Sequence, residues 1–444
     1  MYHLGFLRCA ALGLLLALSG PLIARAQNVI DITGGKIEPL PIAITEFYGE
    51  TPAAEELGRK MADVVSADLE SSGLLRPIDR RAFIQSPEEL QSTPRFADWR
   101  QINAQTLVTG TIVGGVDADG ITIEFRLWDV FGGTQMRGLR FNASEDKWRR
   151  IGHRIADAVY QRITGEEGYF DSRIVYVSET GPATDRIKRI AIMDQDGANH
   201  KFLTDGGDLV ITPRFHPEGT SIAYMAYRGP IPQIYQRNLL TSTERPLGNF
   251  PGMTFAPKFS PNGNLMAMSL ATNGNSDLYL LDVINGRVGG QRERLTNSQA
   301  IDTSPSFSPD GTEMVFNSDR AGSPQLYVMN INNGQTRRIS FGGGNYGSPA
   351  WSPRGDLIAF TKIKDGLFHI GVMRADGSDE RLLTRSALDE SPTWSPNGRV
   401  ILFSRKDYRT KRTRLFTIDV TGYNEREIPT PQDASDPDWS VLIP

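Results

Sequence analysis

Apolar residues fall into two regimes along this chain. Up to about residue 165 they recur at helical spacing, interleaved with strand-like runs. From residue 173 onward they form short alternating runs divided by Pro-x-Gly turns. In the first regime, PLPIAITEF (39–47) predicts a strand. Residues 52–71 predict a helix, with Leu57, Met61, Val64, Val65 and Leu69 on one face and Thr51 placed to cap it. A second helix is expected near 96–103, then three strands in TLVTGTIVGG, ITIEFRLWDV and TQMRGLRFN. A helix over 144–162 closes the unit, with Trp148, Ile151, Ile155, Val159 and Ile163 on one face.

The second regime repeats. TPRFHPEGTSIAY (212–224), APKFSPNGNLMAM (256–268), SPSFSPDGTEMVF (304–316), SPAWSPRGDLIAF (348–360) and SPTWSPNGRVILF (391–403) are copies of one pattern. Their aromatic anchors Phe215, Phe259, Phe307, Trp351 and Trp394 are spaced by 44, 48, 44 and 43 residues, and Trp439 in DPDWS follows 45 later. Trp439 has no strands after it, while RIVYVS (173–178), RIAIMDQDG and KFLT have no anchor before them. One four-stranded unit is therefore divided between the two ends of the region. Proline presets the turn after each anchor, and glycine supplies its positive φ. A further glycine ends the turn before the fourth strand in five of the six units: Gly197, Gly286, Gly334, Gly377 and Gly422. Four-stranded repeats of this length predict a six-bladed β-propeller, closed by strand exchange between its ends, behind a small α/β domain. The anchors are expected to pack between neighbouring blades.

The expected organisation is a signal peptide over 1–26, an α/β domain over 27–165, a hinge over 166–172 and the propeller over 173–444. Arg8, the apolar run 10–18 and Ala24-Arg25-Ala26 form the export signal, which is too short to span a bilayer as a helix. With a net charge of −4, becoming −6 once Arg8 and Arg25 are removed, a basic nucleic-acid surface is not indicated and no nucleic-acid partner is expected, nor any direct membrane insertion. Cys9 is the sole cysteine, so disulfides and cysteine metal clusters are ruled out.

Candidate chemistry is sparse. His153, His200, His216 and His369 lack metal-ligand spacing, and no nucleophile elbow occurs. Asp194–Gly197 and Asp117–Gly120 lack the twelfth-position glutamate of a calcium loop. No catalytic residue, cofactor or metal is expected. The alternative function class, a periplasmic hydrolase or lyase acting on a sugar or peptide in the tunnel, requires titratable groups converging there. In a four-stranded blade, the loops between blades and the loops joining second to third strands share one face. That loop face is chemically varied. Asp302, Asp389, Glu390 and Asp436 are expected around the tunnel mouth, with Arg228, Arg320 and Arg405 beside them and Phe255 and Tyr346 exposed, a rim suited to a protein partner.

The order of signal, small α/β domain and six SPxWSPDGxxIAF-type repeats ending in DPDWS, together with the opening VIDITGGKIEPLPIAI, resembles the TolB family of the periplasmic Tol-Pal system. The resemblance implies a non-enzymatic role in outer-membrane integrity and envelope constriction at cell division. It implies docking of the lipoprotein Pal on the loop face, carried here by Phe255, Asp302, Thr303, Tyr346, Asp389 and Glu390 with the three arginines. It also implies engagement of TolA by Val29, Ile30, Asp31, Ile32, Thr33 and Gly34, a segment able to add to a sheet edge, and contact with other outer-membrane proteins.

Overall fold

The computed structural model describes residues 38–113, 120–182, 184–248, 250, 252–284, 287–288, 293–385 and 388–443. The export signal, the segment Val29–Gly34, the Asp117–Asp119 part of one acidic loop and Gly286 lie outside them.

In the first domain, strands β1 (Leu40–Ile44), β2 (Tyr48–Gly49), β3 (Leu75–Pro77), β4 (Thr106–Val113), β5 (Ile121–Asp129) and β6 (Thr134–Ala143) form one mixed sheet in the order β3-β1-β4-β5-β6, with β2 on β4. Helix α1 (Pro52–Ser71) begins where expected, because the Thr51 hydroxyl accepts the Ala54 N–H at 3.2 Å and Pro52 fills a first-turn position that needs no donor. Helices α1 and α3 (Trp148–Thr164) bury Met61, Val65, Leu69, Ile151, Ile155 and Val159 against one face of the sheet. On the other face, α2 (Phe96–Gln101) covers Ala43, Leu107 and Trp128 with Trp99.

The second domain contains six sheets of four or five strands. Blades 1 to 5 run over 209–246, 253–294, 302–338, 345–382 and 389–428. Blade 6 pairs Asp433–Trp439 with Arg173–Thr180, Trp439 lying opposite Ile174 and Asp438 opposite Val175, and continues through Ile187–Asp194 and Lys201–Phe202. Each aromatic anchor is buried in a cluster shared with the preceding blade: Phe259 packs with Ala223 and Ile234, and Trp394 with Ala359 and Ile370. Trp439 shares its cluster with Val400, Leu402 and Leu415 of blade 5, and that core also runs on into the first domain through Tyr169, Phe170, Ile155 and Val159.

That continuity changes the picture of segment 166–172, expected as a hinge. Tyr169 and Phe170 are buried, and the Asp157 carboxylate accepts the Phe170 and Asp171 N–H groups at 2.8 and 3.0 Å. Asn397 donates to the Glu167 carbonyl at 2.7 Å, and Glu166 pairs with Arg354 at 3.1 Å. The segment is a packed joint, because its two aromatics supply core to both domains.

Candidate functional site

The six innermost strands define the tunnel, and each carries a bulge at the same place. The residue before the recurring proline of each innermost strand (Thr212, Ala256, Ser304, Ser348, Ser391 and Asp436) has φ between 45° and 57°. Left-handed geometry is costly for a residue with a Cβ, and most of all for β-branched Thr212. The register with the second strand slips at each of these points, for example between Thr303 and Ser306. The recurring x-Pro dipeptide was the sequence signal for this ring of bends.

The structure separates the expected rim residues. Asp302 and Asp389 are fully buried, not displayed at the mouth. Arg320 grips both oxygens of Asp302 at 3.0 Å, and Arg405 grips Asp389 at 2.6 and 3.0 Å. Arg405 also pairs with Glu425, and Arg228 with Asp208 at 2.6 Å and with Glu244. The Asp302 and Asp389 pairs are internal clamps between the start of an innermost strand and the end of its neighbour, whereas the Arg228–Asp208 pair is exposed. A desolvated carboxylate needs such a bidentate partner. Tyr346 is likewise buried, its hydroxyl donating to Glu380, which also holds Lys362 at 2.5 Å. Phe255 and Thr303 are half-buried, and Glu390 is exposed. Surrounding protein and the charge of Asp436 raise the Glu390 carboxyl above its usual range.

A ring that sequence reasoning missed takes the place of the expected aromatics. Ile187, Leu209, Ile231, Met253, Ile301 and Leu367 stand 39–47% exposed, all at loop-face ends of strands or in loop-face loops. The signal was an apolar residue one step beyond the alternating pattern. At the bulges of the innermost strands the tunnel holds a cavity of about 130 Å³ whose charged groups are Arg214, Lys258, Asp436 and Asp438. Asp438 is already committed: it accepts from the Phe215 N–H at 2.8 Å, Lys258 at 3.2 Å and Thr393 at 3.3 Å, tying three other blades to blade 6.

A second polar site lies at the domain joint, and it too was missed. His153 of α3 is buried with Nδ1 at 2.6 Å from Asp68 of α1. Gln195 donates to the other Asp68 oxygen at 2.8 Å, Arg149 pairs with Asp196, and Asp194 lies 4.0 Å from His153 Nε2. Burial alone lowers the His153 pKa, but Asp68, Asp196 and Asp194 outweigh it and hold the imidazole at about 9. Burial raises the carboxyl of Asp68, and it pushes Asp157 up to about 7. Asp68, His153 and Asp196 offer ligand atoms within 4.8 Å of one another. Arg149 and protonated His153 already neutralise much of that charge, so the cluster is an ion network, and a metal there would have to displace Arg149.

Among the described residues no helix is long and apolar enough to cross a membrane. Comparison with known families matches residues 28–136 to the TolB amino-terminal domain and residues 160–443 to the TolB beta propeller domain. The chain is 43% identical over 430 residues to the Tol-Pal system protein TolB of Gluconobacter oxydans, covering 96% of this chain and 90% of that one. It is 52% identical over 255 residues to the protein of the same name from Paramagnetospirillum magneticum, a match spanning 57% of each chain. The crystal structure of TolB from Acinetobacter baumannii superposes with a TM-score of 0.81 at 29% identity, covering 93% of this chain and 99% of that one.

Proposed function

The chain belongs to the TolB family of Tol-Pal system proteins, and from that membership we propose that it is a periplasmic docking platform joining Pal to the inner-membrane Tol complex. Such a protein is not an enzyme. Its Tol-Pal role requires contact with other components of the system. The loop face is the surface we assign to Pal, and the segment Val29–Gly34 the one we assign to TolA, in support of outer-membrane integrity and envelope constriction at division.

One observation carries the loop-face assignment. Asp302, Asp389 and the three arginines expected to bind are held in ion pairs, while six apolar side chains at loop-face strand ends and loops remain 39–47% exposed. Ionic clamps fix the loops, and the apolar ring supplies area to bury. A rigid scaffold with an apolar centre and polar rim is how a pre-organised protein interface is built. Phe255, Thr303 and Glu390 are the expected residues that still face this surface.

Calorimetric titration of Pal into the chain from Gln27 onward tests this reading. Replacing Ile301 and Leu367 together by Asp is expected to weaken binding at least tenfold, roughly 1.4 kcal/mol, and to leave the melting temperature unchanged. Unchanged affinity removes the loop face as the Pal site. Deleting 27–34 is expected to abolish TolA binding and spare Pal binding.

A further inference from the structure

Blade 5 carries a hairpin unlike the other five. Residues 405–414, RKDYRTKRTR, hold six cations and one acid in a chain whose net charge is −4. The hairpin is ordered from within. Lys406 pairs with Thr413, and Asp407 N–H donates to the Arg412 carbonyl at 2.8 Å. The Asp407 carboxylate accepts from the Thr410 N–H at 2.6 Å. Arg405, Arg412 and Arg414 are committed to Asp389 and Glu425, to Asp433 and to Glu427, respectively. Lys406, Arg409 and Lys411 take no ion pair among the described residues, and all three are exposed.

The topology adds two more cations to this rim. Leu388 bridges Phe368 of blade 4, and its carbonyl accepts the Lys406 N–H at 3.0 Å. The Lys364–Leu367 turn, exposed Arg385 and the hairpin therefore stand side by side. Tyr408, 73% exposed beneath Lys411 at 4.1 Å, and Leu367 give the rim apolar bodies among the charges. Asp365, Asp407, Glu390 and, toward the tunnel, Asp436 are the nearby acids without an ion pair among the described residues, fewer than the five free cations.

We propose that this outer rim of blades 4 and 5 adsorbs to an anionic phospholipid surface. Three of the five free cations are lysines, which are depleted from protein–protein interfaces. They are exposed and do not line the tunnel cavity. Long, uncommitted cations around a tyrosine suit a diffuse layer of phosphates: each cation gains from the surface field without fixed geometry, and the ring settles at headgroup level. The rim adsorbs without crossing the bilayer.

Vesicle co-sedimentation of the chain from Gln27 onward tests the proposal without any protein partner, so its outcome is independent of the Pal assignment. The chain should bind vesicles of phosphatidylglycerol mixed with phosphatidylcholine, fail to bind phosphatidylcholine alone, and release as salt rises. Each surface cation contributes roughly fivefold, so K406Q/R409Q/K411Q should weaken binding by about a hundredfold with an unchanged melting curve. Tyr408→Ser, with every charge retained, should weaken it severalfold. Equal binding to both vesicle types, no binding to the anionic ones, or an unaffected triple variant overturns the proposal. Capture by immobilised polyglutamate without vesicle binding also overturns it and points to an acidic protein instead.

Discussion

The domain joint and the loop face both bury carboxylates against cations, and they do so to opposite ends. On the loop face the clamps lie within a blade, Asp302 with Arg320 and Asp389 with Arg405, and a related pair recurs as Asp208 with Arg228. At the joint the partners come from three separate elements, α1, α3 and the Asp194–Asp196 turn of blade 6, and nothing repeats. The repeated clamps stiffen a surface that leaves its apolar residues free. The unrepeated network fixes how one domain sits on the other, and it does so with polar groups whose loss is expensive.

The largest effect should come from breaking the joint. Asp68→Ala strands a buried imidazolium, and His153→Ala strands a buried carboxylate; either should cost about 3–5 kcal/mol of stability in chemical denaturation. In a double-mutant cycle the pair should cost far less than the sum of the two. The joint also has a pH signature. Because the folded His153 pKa is raised to about 9, its contribution is complete below the unfolded value of roughly 6.5 and is lost as pH rises through 9. The stability gap between the parent chain and His153→Gln should narrow across that window. A gap that is constant from pH 6 to 10 contradicts the ion-network reading.

A clamp on the loop face should matter less, since Arg320 is itself partly solvated. Arg320→Ala should cost about 2 kcal/mol by the same measurement and weaken Pal binding through loosened loops. The smallest effect on stability should come from the apolar ring. Ile301→Ser should change it by less than about 0.5 kcal/mol, and its consequence should appear in partner binding alone. If Ile301→Ser destabilises as much as Arg320→Ala, the ring is core and the contrast between the two regions fails.

The same contrast explains what could be read from the sequence. Repetition made the propeller legible: an aromatic every 43–48 residues marks the packing of each blade on the one before, and Phe215 through Trp439 are all buried as expected. Helix α1 was legible to its ends because its cap and its apolar stripe agree. Strand alternation, however, fixes a side chain's face and not what lies across from it, so Asp302, Asp389 and Tyr346 read as exposed rim residues. An acid opening the innermost strand followed 16–20 residues later by an arginine was the readable trace of the clamps. His153 left no trace, because a lone histidine on an apolar helix face gives no hint of an aspartate 85 positions away. The hinge was misjudged for a related reason: Gly165 does end α3, with φ of 77°, but Tyr169 and Phe170 behind it are core.

Docking of Pal on the loop face is the central proposal, and amide hydrogen exchange of the chain with and without Pal reads it directly. It predicts added protection in the loop-face segments 205–209, 229–233, 298–302 and 364–368, and none in the tight turns at 216–220, 308–312 and 352–356. Protection confined to those turns, with the loop-face segments exchanging as in the free protein, would contradict it.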